Sequence, residues 1–216
     1  MSTSEARGRV RAFVTVSLDG YVTGPDDHAG QGLGAGGERL HYWVMGGPWT
    51  YDTPREPGAG MTAEDRAYFD ELLEGAGAAL CGRGMYDAAG AWGGRNPFQA
   101  PLVVLTHRTA DQPDPDAGFL MVDGFDAALA AARRTAGDSA VIIGGGADVI
   151  RQALAAGVVD ELGLSTAPVV LGGGKRLFEG FDRDVDLEIR AVHHSRYAVH
   201  VRYAVAAARA VPIDFR

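Results

Sequence analysis

The sequence predicts an α/β protein with a mainly parallel central sheet, helices on both faces and an antiparallel C-terminal hairpin. Three observations carry this reading. Short β-branched runs alternate with helical segments through the middle of the chain, as in a parallel sheet with crossover helices. The run Ala140-Val141-Ile142-Ile143-Gly144-Gly145-Gly146-Ala147 reads as a buried strand that breaks into glycines and restarts as a helix. Two alternating runs, 187–194 and 197–206, close the chain as a hairpin.

Residues 10–18 alternate and are β-branched, so they form a strand buried on at least one face. Asp19-Gly20 turns the chain, Tyr21-Val22-Thr23 resumes it, and Gly24-Pro25 stops it. Residues 26–60 are rich in Gly and Pro and hold Trp43 and Trp49. A connection this long is expected to be functional or mobile, with a short helix at 38–44. Thr62 N-caps a helix with an acidic first turn at Glu64 and Asp65. Its apolar face is Phe69, Leu72 and Leu73, and Gly75 stops it. A short strand at 78–81 runs into Gly82-Arg83-Gly84, and Met85 begins a short helix. Strands follow at 101–106 and 119–122, separated by a loop at 111–116 with two prolines. An alanine-rich helix spans 126–135 and ends in Arg133, Arg134 and Gly137. The glycine-run strand and its helix reach Ala156. A strand at 160–170 is interrupted by Pro168.

No internal repeat or linker divides the chain. The expectation is one domain over 10–210 behind a disordered or extended N-terminus, 1–9. The chain has 216 residues and is 46% hydrophobic, enough for a real core. Its 28 acids against 20 bases leave a net charge of −8. Nucleic acid and anionic membranes call for a basic face, so neither is expected as a partner. Cys81 is the lone cysteine, which rules out an intrachain disulfide and suits a cytoplasmic setting. Residues 1–9 lack the apolar stretch of a signal peptide.

The glycine run is the richest chemical signal. Glycine lets bare backbone approach a ligand. A helix opening behind it adds unpaired N–H groups and a positive dipole end, so the pattern suits a phosphate. Two other strand ends carry related residues: Cys81-Gly82-Arg83-Gly84-Met85 and Leu105-Thr106-His107-Arg108. In a parallel sheet the carboxyl ends lie along one edge, where ligands bind. Arg83 and Arg108 could fork onto phosphate oxygens there, and Thr106 could hydrogen-bond one. Each segment alone is an ordinary turn or solvated arginine. Together they point to a nucleotide.

In order and spacing, Val16-Ser17-Leu18-Asp19-Gly20, Gly82-Arg83-Gly84-Met85, Val104-Leu105-Thr106-His107-Arg108 and Ile143-Gly144-Gly145-Gly146 match one group. Over nearly its whole length the chain resembles the dihydrofolate reductase-like superfamily. Within it, the chain is similar to the C-terminal reductase domain of bifunctional riboflavin-biosynthesis proteins. The resemblance implies a sheet of about eight strands and an NADPH-binding reductase acting on a heterocycle or a ribose-derived carbonyl or imine. It also implies a homodimer, for which the hydrophobic hairpin could serve as the edge. Gly144, Gly145, Gly146 and Ala147 would hold the diphosphate and the nicotinamide side of NADPH. Gly82, Arg83 and Met85 would face the phosphates. Thr106, His107 and Arg108 would take the adenosine end, with Arg108 receiving the 2′-phosphate. Thr15, Val22 and Gly24 would lie near the nicotinamide.

Three departures leave the substrate open. Met85 stands where relatives often have a Thr that donates to phosphate. Gly144 stands where riboflavin-type reductases commonly have a substrate-binding acid. The acidic helix residue of the folate enzymes has no clear counterpart in 25–45. Asp19 is the acid inside a matched motif, so it is read either as a proton donor or substrate anchor, or as an Asp-Gly turn residue. Trp43, Trp49 and Tyr51 could stack on a planar substrate or pack their loop onto the core. The function expected is therefore an NADPH-dependent reductase of a small molecule. The rivals are a 5-amino-6-(5-phosphoribosylamino)uracil reductase and a non-catalytic NADP-binding redox sensor.

Other motifs fail on context. Gly32-Leu33-Gly34-Ala35-Gly36-Gly37 fits a dinucleotide fingerprint but follows no strand. Gly172-Gly173-Gly174-Lys175-Arg176 lacks the first glycine and the hydroxyl residue of a P-loop. His193, His194 and His200 sit on expected strands without further metal ligands. Ser165 lacks a nucleophile elbow.

Overall fold

The computed structural model describes residues 8–53 and 56–206. Residues 1–7 and 207–210 of the expected N-terminus and domain lie outside the described residues.

Eight strands form one sheet: β1 Val10–Ser17, β2 Ala76–Gly82, β3 Leu102–Leu105, β4 Phe119–Val122, β5 Ala140–Ile143, β6 Glu161–Ala167, β7 Leu187–His194 and β8 Val199–Val205. Their order is β4-β3-β2-β5-β1-β6-β8-β7. The first six run parallel; β8 is antiparallel to β6, and β7 to β8. Among the described residues, five α-helices surround the sheet: α1 Tyr42–Met45, α2 Ala63–Leu73, α3 Arg83–Ala88, α4 Phe125–Ala136 and α5 Ala147–Ala155.

Alternation along the strands divides the core. Val10, Ala12 and Val16 of β1, with Ala78 and Leu80 of β2, pack under α4 and α5. Residues of the opposite pleat face the other way. Phe13 joins Trp43, Tyr68 and Leu72 from α1 and α2. Ala79 and Cys81 join Met85 and Tyr86 from α3. This division follows from connection direction. From β1 to β2 and from β2 to β3 the chain steps toward the β4 edge; from β4 to β5 and from β5 to β6 it steps away. Crossovers of one hand then put the two sets of helices on opposite faces. At its carboxyl end, β5 lies between β2 and β1, whose connections leave by the other face. That topological switch opens a crevice above Gly144–Gly146.

Local chemistry sets the helix ends. The Thr62 hydroxyl accepts from Asp65 N at 3.2 Å, capping α2 as its sequence predicts. Arg11 closes the other end, donating to the carbonyls of Leu72 and Glu74 at 3.2 and 2.6 Å. Two expectations are corrected. Tyr21–Thr23 does not continue a strand; Tyr21 forms an isolated bridge to Arg176 and turns back onto Ser17. β6 stops at Ala167, because Pro168 has no N–H to extend the ladder. Residues 26–60 are not a plain loop. They contain a 3-10 turn, Gly37–His41, and then α1, anchored by buried Leu40 and Trp43.

Candidate functional site

The site is built on the carboxyl ends of β5, β2 and β3. β5 is buried along its whole length, and the chain then turns through Gly145 at φ +114° and Gly146 at φ +81°. Side chains rarely adopt such angles. Gly146 is the N-cap of α5 and has no side chain to cap it. Among the described residues, the N–H groups of Gly145 and Gly146 donate to no protein acceptor. A Cβ on Gly145 would meet Met85 Sδ at 3.1 Å, and one on Gly146 would face Gly82 N at 3.6 Å. The glycines thus leave a backbone cradle that any side chain would fill. This donor set, with the α5 dipole behind it, fits a diphosphate.

Beside the cradle, Arg83 opens α3 and Arg108 follows β3. The structure brings both to one acid pair. Arg83 Nε donates to Asp87 Oδ1 at 2.7 Å, and Arg83 Nη1 to Asp111 Oδ2 at 3.1 Å. Arg108 Nη2 donates to Asp87 Oδ2 at 2.7 Å, and its Nε lies 3.7 Å from Asp111 Oδ2. Thr106 is buried, and its hydroxyl accepts from Arg108 N at 3.0 Å, so it shapes the turn that presents Arg108. The His107 side chain is 91% exposed and pairs with Asp123 at 2.6 Å.

Of its two readings, Asp19 takes that of a turn residue, and it also anchors a distant loop. Oδ1 accepts from Ser17 Oγ at 2.6 Å and Leu171 N at 3.1 Å, and Oδ2 from Gly172 N at 2.8 Å. The Ser17 hydroxyl, with these backbone N–H groups, holds the carboxyl down at about 2. It is an anion at neutral pH and has no proton to give. Gly24 is buried where three segments meet: a Cβ would lie 2.1 Å from Ala35 O. Val22 N donates to Lys175 O at 2.8 Å, tying the same segments together.

Trp43 is corrected only as a substrate-stacking candidate: it takes its other reading and packs its loop onto the core. It is 2% exposed, its Nε1 donates to Thr15 Oγ1 at 3.0 Å, and its ring meets Tyr68, Phe69 and His200 edge-on. It has no face left for a substrate. Trp49 and Tyr51 pack edge to face with centroids 5.2 Å apart, and Tyr51 remains 37% exposed. The Trp49 Nε1 is buried without a hydrogen-bond partner among the described residues.

Two features escaped the sequence reading. Glu38 lies in the 25–45 stretch where no acid counterpart was evident. It sits in the 3-10 turn that packs on β1 and β6, is 9% exposed, and has no hydrogen-bond partner among the described residues. Burial raises the Tyr51 hydroxyl, and the negative charge of Glu38 adds to that. The second feature is a row of register partners, Thr15, Ser165, His200 and His193, across β1, β6, β8 and β7. His200 Nδ1 pairs with Ser165 Oγ and His200 Nε2 with Asp65 Oδ1, each at 2.8 Å. These are the residue types of a nucleophilic triad, but all three are buried. They join α2 to the sheet; burial lowers the His200 pKa. Asp65 stood out in sequence only as a first-turn acid.

A mainly parallel eight-stranded sheet, with a glycine cradle at its switch point and an antiparallel edge, defines a protein of the dihydrofolate reductase-like fold. The chain belongs to the RibD C-terminal domain family, whose model matches residues 9–203. No curated protein matches it in sequence. Among solved structures it is similar to a candidate riboflavin biosynthesis protein from Shewanella sp. PV-4, at 20% identity and TM-score 0.67, covering 92% of this chain and 99% of that one. It is similar to dihydrofolate reductase from Enterococcus faecalis complexed with NADP(H), at 18% identity and TM-score 0.54, covering 92% and 97%. It is also similar to the Thermotoga maritima diaminohydroxyphosphoribosylaminopyrimidine deaminase/5-amino-6-(5-phosphoribosylamino)uracil reductase, at 15% identity and TM-score 0.57. That match covers 93% of this chain and 57% of the bifunctional one. Among the described residues, no helix is long and apolar enough to cross a membrane, and no His/Cys/Asp/Glu group could hold a metal.

Proposed function

We propose that this protein is an NADPH-dependent reductase that delivers hydride to a small heterocyclic or ribose-derived acceptor. The observation that carries this reading is the Gly144–Gly146 cradle at the switch point, with Arg83 and Arg108 converging beside it. A bound dihydronicotinamide would supply the hydride. The chain's own residues hold and exclude. Gly144, Gly145, Gly146 and Ala147 would cradle the diphosphate, with Gly82, Arg83 and Met85 facing it. Met85 contributes packing and no hydrogen bond. Thr106, His107 and Arg108 would hold the adenosine end. Thr15, Val22 and Gly24 would border the nicotinamide, with Trp43 fixing Thr15 from behind. Trp49 and Tyr51 would form the rim of the acceptor pocket.

A proton must follow the hydride. Asp19 is held as a loop anchor, so Glu38 is the candidate donor: its turn packs on β1 and β6, and its carboxyl has no hydrogen-bond partner among the described residues.

The test is nicotinamide fluorescence on mixing protein with NADPH. No change at tens of micromolar cofactor, a range typical of enzyme substrates, would sink the reading. Oxidation of bound NADPH by a pteridine, flavin or pyrimidine panel separates a reductase from a redox sensor. A preference for NADPH over NADH that survives Arg108→Ala would refute the 2′-phosphate assignment.

Family membership favours a second reading, 5-amino-6-(5-phosphoribosylamino)uracil reductase. Gly144 counts against it, since it offers no side-chain carboxylate to that substrate. Turnover of this pyrimidine, and of no other acceptor in the panel, would establish it. We also propose a homodimer through β7, the sheet edge, where Ile189 is 62% and Val192 55% exposed. An apolar unpaired edge invites pairing. Light scattering should give twice the chain mass, falling to one chain in Ile189→Lys/Val192→Lys.

A further inference from the structure

Arg83 and Arg108 are not free cations. With Asp87 and Asp111 they form a ring of four alternating charges whose formal sum is zero. Asp87 bridges the two guanidiniums, one carboxylate oxygen to each, and Asp111 Oδ2 faces both from the loop after β3. The spacing that builds the ring is local: Arg83 and Asp87 are i,i+4 on α3, and Arg108 and Asp111 are i,i+3. Each guanidinium keeps donors to spare. Arg83 Nη2 and Arg108 Nη1 donate to nothing among the described residues. Asp87, Asp111 and Arg108 are all substantially exposed, so an incoming ligand can reach the ring.

We propose that Asp87 and Asp111 set the discrimination between 2′-phosphorylated and unphosphorylated adenine nucleotides at this site. The proposal rests on the nicotinamide-nucleotide reading above and deepens it. Arginine is the group that accommodates a 2′-phosphate, and a carboxylate is the group that accepts from a free ribose 2′-hydroxyl. This ring presents both. A 2′-phosphate gains the spare guanidinium N–H groups, but it also meets two carboxylates that have already neutralised the arginines. A 2′-hydroxyl meets no such repulsion and can donate to either acid. The acids therefore hold down a selectivity that the arginines alone would give. They also keep the guanidiniums ordered, so removing their charge frees cations already in place.

The experiment uses 2′,5′-ADP and 5′-AMP as probes, because they differ only in the 2′-phosphate. Affinities are measured by calorimetry on the full chain and on Asp87→Asn, Asp111→Asn and the double variant. The expected result is a tenfold or greater rise in the preference for 2′,5′-ADP in the double variant. The change should lie in the 2′,5′-ADP affinity and shrink with added salt, as a charge effect must. Asp111 lies in a loop, so Asp111→Asn keeps the test open if Asp87→Asn disturbs α3. Binding of both probes with an unchanged ratio in every folded variant would overturn the proposal and leave the cofactor reading standing. Failure of both probes and of NADPH to bind the wild-type chain would overturn both.

Discussion

Gly146→Ala tests the cradle directly, because its cost to folding and its cost to binding have different origins. Gly146 sits at φ +81°, ψ 106°. A non-glycine residue in such a region costs about 1–3 kcal/mol. The added Cβ finds no atom nearer than 3.6 Å, so no clash adds to the strain. At about 2–4 °C per kcal/mol for a domain of this size, the melting temperature should fall by ~2–12 °C. The protein should remain folded. Binding is a separate matter, because the methyl group occupies the space where a phosphate would approach the backbone. A hydrogen bond to a charged group contributes about 1.5–3 kcal/mol, so losing one weakens NADPH by ~10–150-fold. The control is Gly157→Ala after α5. Gly157 also has positive φ, +62°, and a Cβ there meets nothing within 4 Å. It carries comparable backbone strain of about 1–2 kcal/mol away from the site, so it should lower the melting temperature without changing affinity. Thermal unfolding and fluorescence titration on both variants complete the assay. A folded Gly146→Ala protein that binds NADPH within twofold of wild type would refute the cradle.

Three further predictions address single residues. Asp19→Ala should lower the melting temperature and speed amide exchange at Leu171 and Gly172. It should leave the pH–rate profile between about pH 5 and 8 unchanged, since general-acid catalysis needs a pKa near the working pH; a lost limb in that range would restore Asp19 as an acid. Glu38→Gln should cut turnover by about 100-fold, the lower end for general-acid catalysis, with NADPH affinity retained. Turnover equal to wild type would show that water supplies the proton. Burial pushes His41 down to about 4 and lowers His200 as well. Their unfolded counterparts titrate near 6.5, so below that pH the unfolded chain binds protons that the folded chain does not. Stability should be full above about pH 6.5 and fall toward pH 4, by up to ~1.4 kcal/mol per pH unit for each group. Denaturant melts of His41→Asn across this range should show a shallower fall than wild type; identical slopes would show that His41 contributes nothing.

Backbone-encoded features were legible in the sequence. The alternation in 10–18 carried β1, because period 2 reports a half-buried strand whatever its partner. Thr62 marked the start of α2, because a cap acts within three residues. The glycine run located the cradle, because the bare backbone itself forms it. Positions left with two readings were those whose partners lie far away in the chain. Asp19 looked like a turn residue or an acid; its anchoring contacts with Leu171 and Gly172 are more than 150 residues distant. Trp43 looked like a loop aromatic, and became core because Thr15, Tyr68 and His200 enclose it.

The sequence by itself determined most of the strands and helices, the parallel sheet with its hairpin edge, and the glycine and arginine residues at three strand ends. These follow from periodicity and from backbone freedom, which are local properties. Only the tertiary structure decided which side chains keep their charge or their surface free. It paired Arg83 and Arg108 with Asp87 and Asp111, spent the Asp19 carboxylate on a loop, buried Trp43 and left Glu38 without a hydrogen-bond partner among the described residues. The physical reason is that charge neutralisation and burial belong to groups sharing a space, and folding brings those groups together from distant parts of the chain.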